Sequence, residues 1–172
     1  FLASYAHEAL RRIERAEFDA LAQFRKAIEE ALGTQFEGEK GEHFFRSTLV
    51  QTLFYGLFSA WVLWHRGPAR GKRERFTWHG ASWNMGVPFI SALFRQLESP
   101  ALLKPIGLDE VMDWATAALN RVVPGEFFQR FEEEHAVQYF YEPFLEAFDP
   151  QLRKEYGVWY TPPEIVKYMV ER

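Results

Sequence analysis

The sequence holds no cysteine. Disulfides, thiolate nucleophiles and cysteine-held zinc or iron–sulfur centres are thereby excluded together. A reducing, cytoplasmic location fits such a chain and is the one expected. Histidine is sparse: His7, His43, His65, His79 and His135 fall at no metal-ligand spacing, and there is no His-Glu-x-x-His helix, so no metal site is expected. Sustained apolar–polar alternation is missing, as are glycine-bounded Val/Ile/Thr runs, which leaves no strand pattern. No two glycines are separated by a single residue, so the glycine-rich turn that cradles a phosphate or nucleotide cofactor is absent too.

The N-terminus has no basic stretch followed by an apolar core, and no signal peptide is read there. Phe1 is not a natural start, so the chain is expected to be a piece of a longer one. The one stretch that might suggest a membrane is residues 47–64, STLVQTLFYGLFSAWVLW, uncharged over a length close to the ~20 residues a bilayer demands. Thr48, Gln51, Thr52 and Ser59 interrupt it, no asymmetry of loop charge follows, and a helix buried in an aromatic-rich domain accounts for it without a membrane.

What is present is apolar and aromatic. With 48% hydrophobic and 17% aromatic residues over 172 positions, the chain is too rich in core-forming side chains for disorder and long enough for one domain. A net charge of -4 argues against a wholly electrostatic nucleic-acid binder, yet it leaves room for a local basic face on an acidic body.

Over residues 2–32, Leu10, Ile13, Leu21, Phe24, Ile28 and Leu32 keep helical spacing, with Arg11, Arg12, Arg15, Arg25 and Glu29 between them, which predicts one long amphipathic helix. Gly33 and the glycines at 38 and 41 supply a stop and a loop. A second helix is expected from about 42 to 65, apolar all round in its second half like the central helix of a bundle. Shorter helices are expected at 88–97, 108–121 and 135–147, with Pro100, Pro105, Pro124 and Pro150 marking gaps. The fold class is therefore all-α, a multi-helix bundle.

Between the second helix and the irregular aromatic stretch 76–89 lies RGPARGKRER, an exposed basic loop. Its cations Arg66, Arg70, Lys72, Arg73 and Arg75, set against Glu74, are candidate contacts to DNA phosphates. A solvated surface loop explains the same composition, and both readings stand. Glu132, Glu133 and Glu134 are consecutive and would point different ways on a helix, which makes them a solvated face rather than a metal or acid–base site.

Toward the C-terminus, Thr161-Pro162-Pro163-Glu164 forms a capping box. Thr161 caps, Pro162 takes the first helical position where no amide is needed, and Glu164 reaches back. The threonine hydroxyl can accept from the helix amide and still donate its own proton, so a carboxylate could sit at that helix start. A cap of this kind carries no function by itself.

Specificity comes from the whole string. Tyr141-Glu142-Pro143-Phe144-Leu145, then Phe148-Asp149-Pro150 with Leu152-Arg153, then Gly157-Val158-Trp159-Tyr160-Thr161-Pro162, then Val166 and Val170 resemble the lead-in to the catalytic domain of adenine-N6 DNA methyltransferases in fused restriction–modification enzymes of the type IIG and type ISP kind. The likeness continues more loosely upstream, through the long first helix, Phe45-Arg46, residues 52–60 and Val87-Pro88-Phe89. Residues 66–83 have no counterpart in that pattern, and Trp159 stands where a second tyrosine is more usual.

The resemblance implies a helical domain over 1–156, a spacer or DNA-binding scaffold. Residues 157–172 would then be the start of a truncated α/β methyltransferase domain. It implies S-adenosylmethionine as cofactor, with Tyr160, Thr161 and Pro162 packed on it and Thr161 near its methionine end. Double-stranded DNA would be the partner, and nuclease or helicase domains or subunits of the same defence system could accompany it.

No catalytic residue is assigned within the 172 positions. Methyl transfer to a flipped adenine requires an Asn/Asp-Pro-Pro-aromatic element, but Asn84, Asn120 and Asp149 are followed by Met85, Arg121 and Pro150-Gln151. A nuclease centre with an acid two places before a lysine is missing as well: the residues two before Lys26, Lys40, Lys72, Lys104, Lys154 and Lys167 are Phe24, Gly38, Arg70, Leu102, Leu152 and Ile165. Alongside the methyltransferase reading stands a second, a non-catalytic helical module that holds DNA or couples subunits.

Overall fold

A computed structural model of the chain describes residues 1–15, 19–33, 35–67, 75–79, 95, 100–131, 140–155 and 168–170. The helices among them are α1 (Leu2–Arg15), α2 (Asp19–Leu32), α3 (Gly38–Arg66), α4 (Pro100–Ile106), α5 (Leu108–Leu119), α6 (Pro124–Arg130), α7 (Glu142–Phe148) and α8 (Pro150–Glu155). No strand occurs among the described residues, in keeping with an all-α chain.

In α1 the buried Ala6, Ala9 and Ile13 follow the three-and-four spacing of one helical face, while Glu8 pairs with Arg11 and Arg12, each at 2.9 Å, along the outer side. Leu21 and Ile28, two turns apart, are the corresponding buried pair of α2. The continuous helix expected over 2–32 is described as α1 and α2, with 16–18 between them outside the described residues. Gly33 ends α2 at φ +64°, the left-handed geometry that glycine adopts without a Cβ penalty.

Arg25 then ties the return. Its guanidinium reaches Glu29 at 3.2 Å, Glu42 at 2.8 Å and the Phe36 carbonyl, while the Phe36 amide donates to Glu29 at 2.9 Å. That amide, together with Arg25, holds the Glu29 carboxyl below its ordinary range against the opposing effect of desolvation.

Helix α3 spans 29 residues, about 44 Å at the usual rise per residue. Leu49, Leu53, Leu57 and Trp61 are each 1% exposed or less, whereas Trp64 at its far end is only partly buried. Burial of most of its circumference follows from the lack of any charged side chain between Arg46 and His65, while Thr48, Thr52, Tyr55 and Ser59 form a part-exposed stripe that ends at the exposed Leu63. The helix starts at Gly38, a turn earlier than the apolar pattern suggests, because its first turn is polar and exposed.

Prolines expected to mark gaps instead open helices. Pro100, Pro124 and Pro150 are the first residues of α4, α6 and α8, and Pro143 lies in the first turn of α7. The missing amide is harmless there and the fixed φ suits a helix start. Pro105 lies inside α4 near its end. The helix expected at 108–121 is α5, and that expected at 135–147 is described only as α7; of 88–97, only Arg95 is described.

Helix α1 packs against α3, α5 and α7. The Arg12 guanidinium bonds the Gly107 carbonyl, pairs with Glu110 at 2.8 Å and lies 5.1 Å from the Trp114 ring centre, which fixes α1 to the start of α5. Gly107 permits this with φ +70°, and a Cβ there would meet Arg12 Nη1 at 2.8 Å. On another side, His7 Nε2 lies 3.1 Å from the Ala147 carbonyl and its ring stands against Phe148. Phe140, Phe144 and Phe148 stack one turn apart; Phe58 lies nearly parallel to Phe140 at 3.7 Å and Phe54 stacks on Phe144 at 6.0 Å.

Candidate functional site

Two regions carry the candidate residues, and each is held by contacts far apart in sequence. The first is the basic loop. Arg66 is the last residue of α3, exposed, with its guanidinium 5.2 Å from the centre of the Phe128 ring on α6. The Gly67 amide donates to the Leu63 carbonyl at 2.9 Å and closes the helix. Arg70, Lys72 and Arg73 lie outside the described residues, and the chain is described again at Arg75, which is exposed.

The segment after Arg75 is anchored. Phe76 is 1% exposed, and the Asn120 side chain clasps its backbone in both directions: the Phe76 amide donates to Oδ1 at 3.2 Å and Nδ2 donates to the Phe76 carbonyl at 2.9 Å. Trp78, also buried, donates from Nε1 to Asp113 on α5 at 2.6 Å, and Trp64 meets Phe76 edge to face at 6.1 Å. The loop therefore leaves from α3 and returns onto α5 at the end of the bundle where both helices finish.

His65, beside the loop, is enclosed by Trp61, Trp64 and Phe128, at centroid distances of 4.8, 4.6 and 6.2 Å. Desolvation in this aromatic surround pushes its pKa down and favours the neutral ring. On the Trp61 side a cleft of about 480 Å³ is bordered by Tyr5, Phe58, Trp61, Phe127, Phe140 and the exposed Arg121.

The second region is the lead-in to the C-terminal motif. Asp149, between α7 and α8, is 6% exposed, accepts from Ser47 Oγ at 2.6 Å and lies 3.0 Å from His43 Nε2. Gln51 donates to the same Ser47 oxygen at 3.3 Å, and the Tyr141 hydroxyl donates to Gln51 Oε1 at 3.1 Å. Burial, with Tyr55 nearby, raises the Tyr141 pKa. His43, Ser47 and Gln51 repeat every four residues along one stripe of α3, and the stripe binds the α7–α8 corner.

Serine, histidine and aspartate meet here without forming a nucleophilic triad. A triad needs the serine hydroxyl on the imidazole and the carboxylate behind it, whereas Ser47 and His43 both address the same Asp149 oxygen and Ser47 is 0% exposed. The arrangement clamps two elements together. Sequence spacing gave no sign of it, since the partners are 102 and 106 residues apart.

Helix α8 ends at Glu155, so Tyr160, Thr161 and Pro162, with the capping box through Glu164, lie outside the described residues, as does the acidic run Glu132–Glu134. Tyr168, Met169 and Val170 are helical, with exposures of 58%, 70% and 79%. Among the described residues no group of histidine and acidic side chains could hold a metal ion, and no helix is long and apolar enough to cross a membrane. No family model, no curated protein and no solved structure matches the chain.

Proposed function

We propose that this chain is the helical segment leading into the catalytic domain of an S-adenosylmethionine-dependent adenine-N6 DNA methyltransferase, within a restriction–modification or phage-defence protein. The observation that carries the reading is the string from Tyr141 to Val170, above all Gly157-Val158-Trp159-Tyr160-Thr161-Pro162. Supporting it, the Phe148-Asp149-Pro150 part of that string is the corner clamped onto α3, so the stretch ahead of Tyr160 starts from a fixed point. The exposed Tyr168, Met169 and Val170 suit a helix that further chain would cover.

In this reading the chemistry belongs to residues outside these 172 positions, and the chain contributes a scaffold and one wall of the cofactor pocket. The proposed role of Thr161 is to donate its hydroxyl proton to the cofactor's methionine carboxylate while its oxygen caps the helix that the sequence predicts from Pro162. One threonine and one aromatic wall cannot enclose a ligand that a pocket normally buries almost completely, so the chain alone binds the cofactor very weakly and transfers no methyl group.

A second reading, a helical module that holds DNA or couples subunits, is favoured by the basic loop being anchored at both ends. The two roles coexist in one polypeptide without conflict. Calorimetry of the methyltransferase-containing protein with S-adenosylmethionine separates them. Thr161→Ser should bind nearly as the parent does. Thr161→Ala should lose about 1 kcal/mol of capping together with a charge-assisted bond of about 1.5–3 kcal/mol. Unchanged cofactor affinity in Thr161→Ala would reduce the residue to a cap and leave the second reading.

A further inference from the structure

We infer that the cleft bordered by α1, α3, α5 and α6 binds a small aromatic carboxylate, its ring between the aromatic walls and its carboxylate on Arg121. The inference goes beyond the methyltransferase reading and does not rest on it. Sequence alone does not mark Arg121, which stands by itself between Asn120 and Val122.

The cleft gathers Tyr5 from α1, Phe58 and Trp61 from α3, Arg121 from the link between α5 and α6, Phe127 from α6 and Phe140 just ahead of α7. At about 480 Å³ it lies within the ~300–1,000 Å³ that small-molecule sites occupy. Its walls are rings that hold one another: Phe127 stands edge-on to Phe58 at 6.1 Å and to Trp61 at 5.1 Å, and Phe58 lies flat on Phe140 at 3.7 Å. Rings locked in this way shape the space in advance, which lowers the cost of binding. A flat ring entering it gains stacked and edge contacts beyond simple burial.

Charge selects the other end of the ligand. Among the described residues that line the cleft, Arg121 is the only charged side chain; it is exposed and forms no ion pair with a described residue. An arginine without an acid at the edge of an aromatic cleft presents a planar fork that a carboxylate fits with two bonds. One cation balances the single charge of a carboxylate, whereas a phosphate group brings nearly two. The neighbouring cleft, across Phe58, Phe127 and Phe140, differs in this respect: Glu126 lines it beside Arg130 and would repel an anion. The carboxylate is therefore assigned to the Arg121 side.

The test is titration of the full chain with 2-naphthoate and with its uncharged counterpart 2-naphthamide, followed by NMR through the indole N–H resonances, the Trp61 signal being assigned from Trp61→Phe. Naphthoate should shift that signal saturably, and naphthamide should bind about tenfold more weakly, the scale of one charge-assisted contact. Arg121→Gln should bring naphthoate down to the naphthamide affinity and leave naphthamide as it was, while Arg121→Lys should keep part of the difference. Ala118→Phe adds bulk at another lining position that is only half-buried, so it should block both probes while circular dichroism and the unfolding temperature stay near the parent's. Equal affinity for the two probes, or the same naphthoate affinity in the parent and in Arg121→Gln, overturns the inference. A Trp61 signal that does not move, or that moves equally in folded Ala118→Phe, overturns the site itself. Octanoate binding as tightly as naphthoate would contradict the aromatic ring.

Discussion

Ser47 donates its hydroxyl proton to Asp149 at 2.6 Å, and this bond, beside the His43–Asp149 contact, joins the first half of the central helix to the corner between α7 and α8. Both groups are buried, Ser47 completely and Asp149 to all but 6%. A buried carboxylate persists only where donors surround it, and here His43 and Ser47 supply them.

Removing one partner should therefore cost more than the bond itself contributes. Asp149→Ala is expected to lower stability by about 1–3 kcal/mol, since it strands Ser47 in the core. Ser47→Ala should be milder, with His43 still facing the carboxylate. Denaturant unfolding of both single variants and the double variant gives the coupling, expected above about 0.5 kcal/mol. Additive losses would show that the two residues stabilise the fold separately.

Among the described residues Trp61 is the largest fully buried side chain, set against Phe58, His65, Phe127 and Phe128, and its Nε1 has no hydrogen-bond partner among them. Trp61→Ala should cost about 3–5 kcal/mol by opening a cavity among these rings. Trp61→Phe should cost clearly less, because it keeps an aromatic body and removes an unsatisfied N–H. Thermal unfolding of the pair checks the order; equal losses would mean that the indole N–H is satisfied and matters to the fold.

Acid should weaken the fold in two steps. His65 has an ordinary value of 6.5 and is held lower in the folded chain by desolvation. The unfolded state therefore binds the extra proton first as pH drops, and the stability present above about 6.5 is lost below it. Glu29 and Glu8 act in a separate window. Their carboxyls sit below the ordinary 4.5, held chiefly by the Phe36 amide and by Arg12 respectively, so their contribution is present above 4.5 and lost as pH falls through the folded values. Denaturation midpoints between pH 7 and 5 should fall in the parent and flatten in His65→Phe. The same slope in both would place the titrating group elsewhere.

The fold was legible where one physical signal dominated. An uncharged stretch of more than four helical turns had to be buried, and α3 is. Periodicity likewise placed the faces of α1 and α2 around Ile13, Leu21 and Ile28. Proline was harder to read, since one residue serves both to stop a helix and to start one; Pro100, Pro124 and Pro150 start them. Contacts between distant positions left no local trace. The Asn120 clasp on Phe76 and the Ser47–Asp149 bond each depend on geometry that only the assembled bundle supplies. Of the basic loop, composition gave the charge, whereas its two anchorages and the neighbouring Arg121 came from packing.

The most direct test of the central claim is to incubate the methyltransferase-containing protein with duplex DNA and isotopically labelled S-adenosylmethionine, digest the DNA and identify the labelled nucleoside by mass spectrometry. N6-methyladenine is the expected product, strongly reduced in Thr161→Ala and largely kept in Thr161→Ser. Label on cytosine, or no label on DNA that the folded protein demonstrably binds, would contradict the assignment.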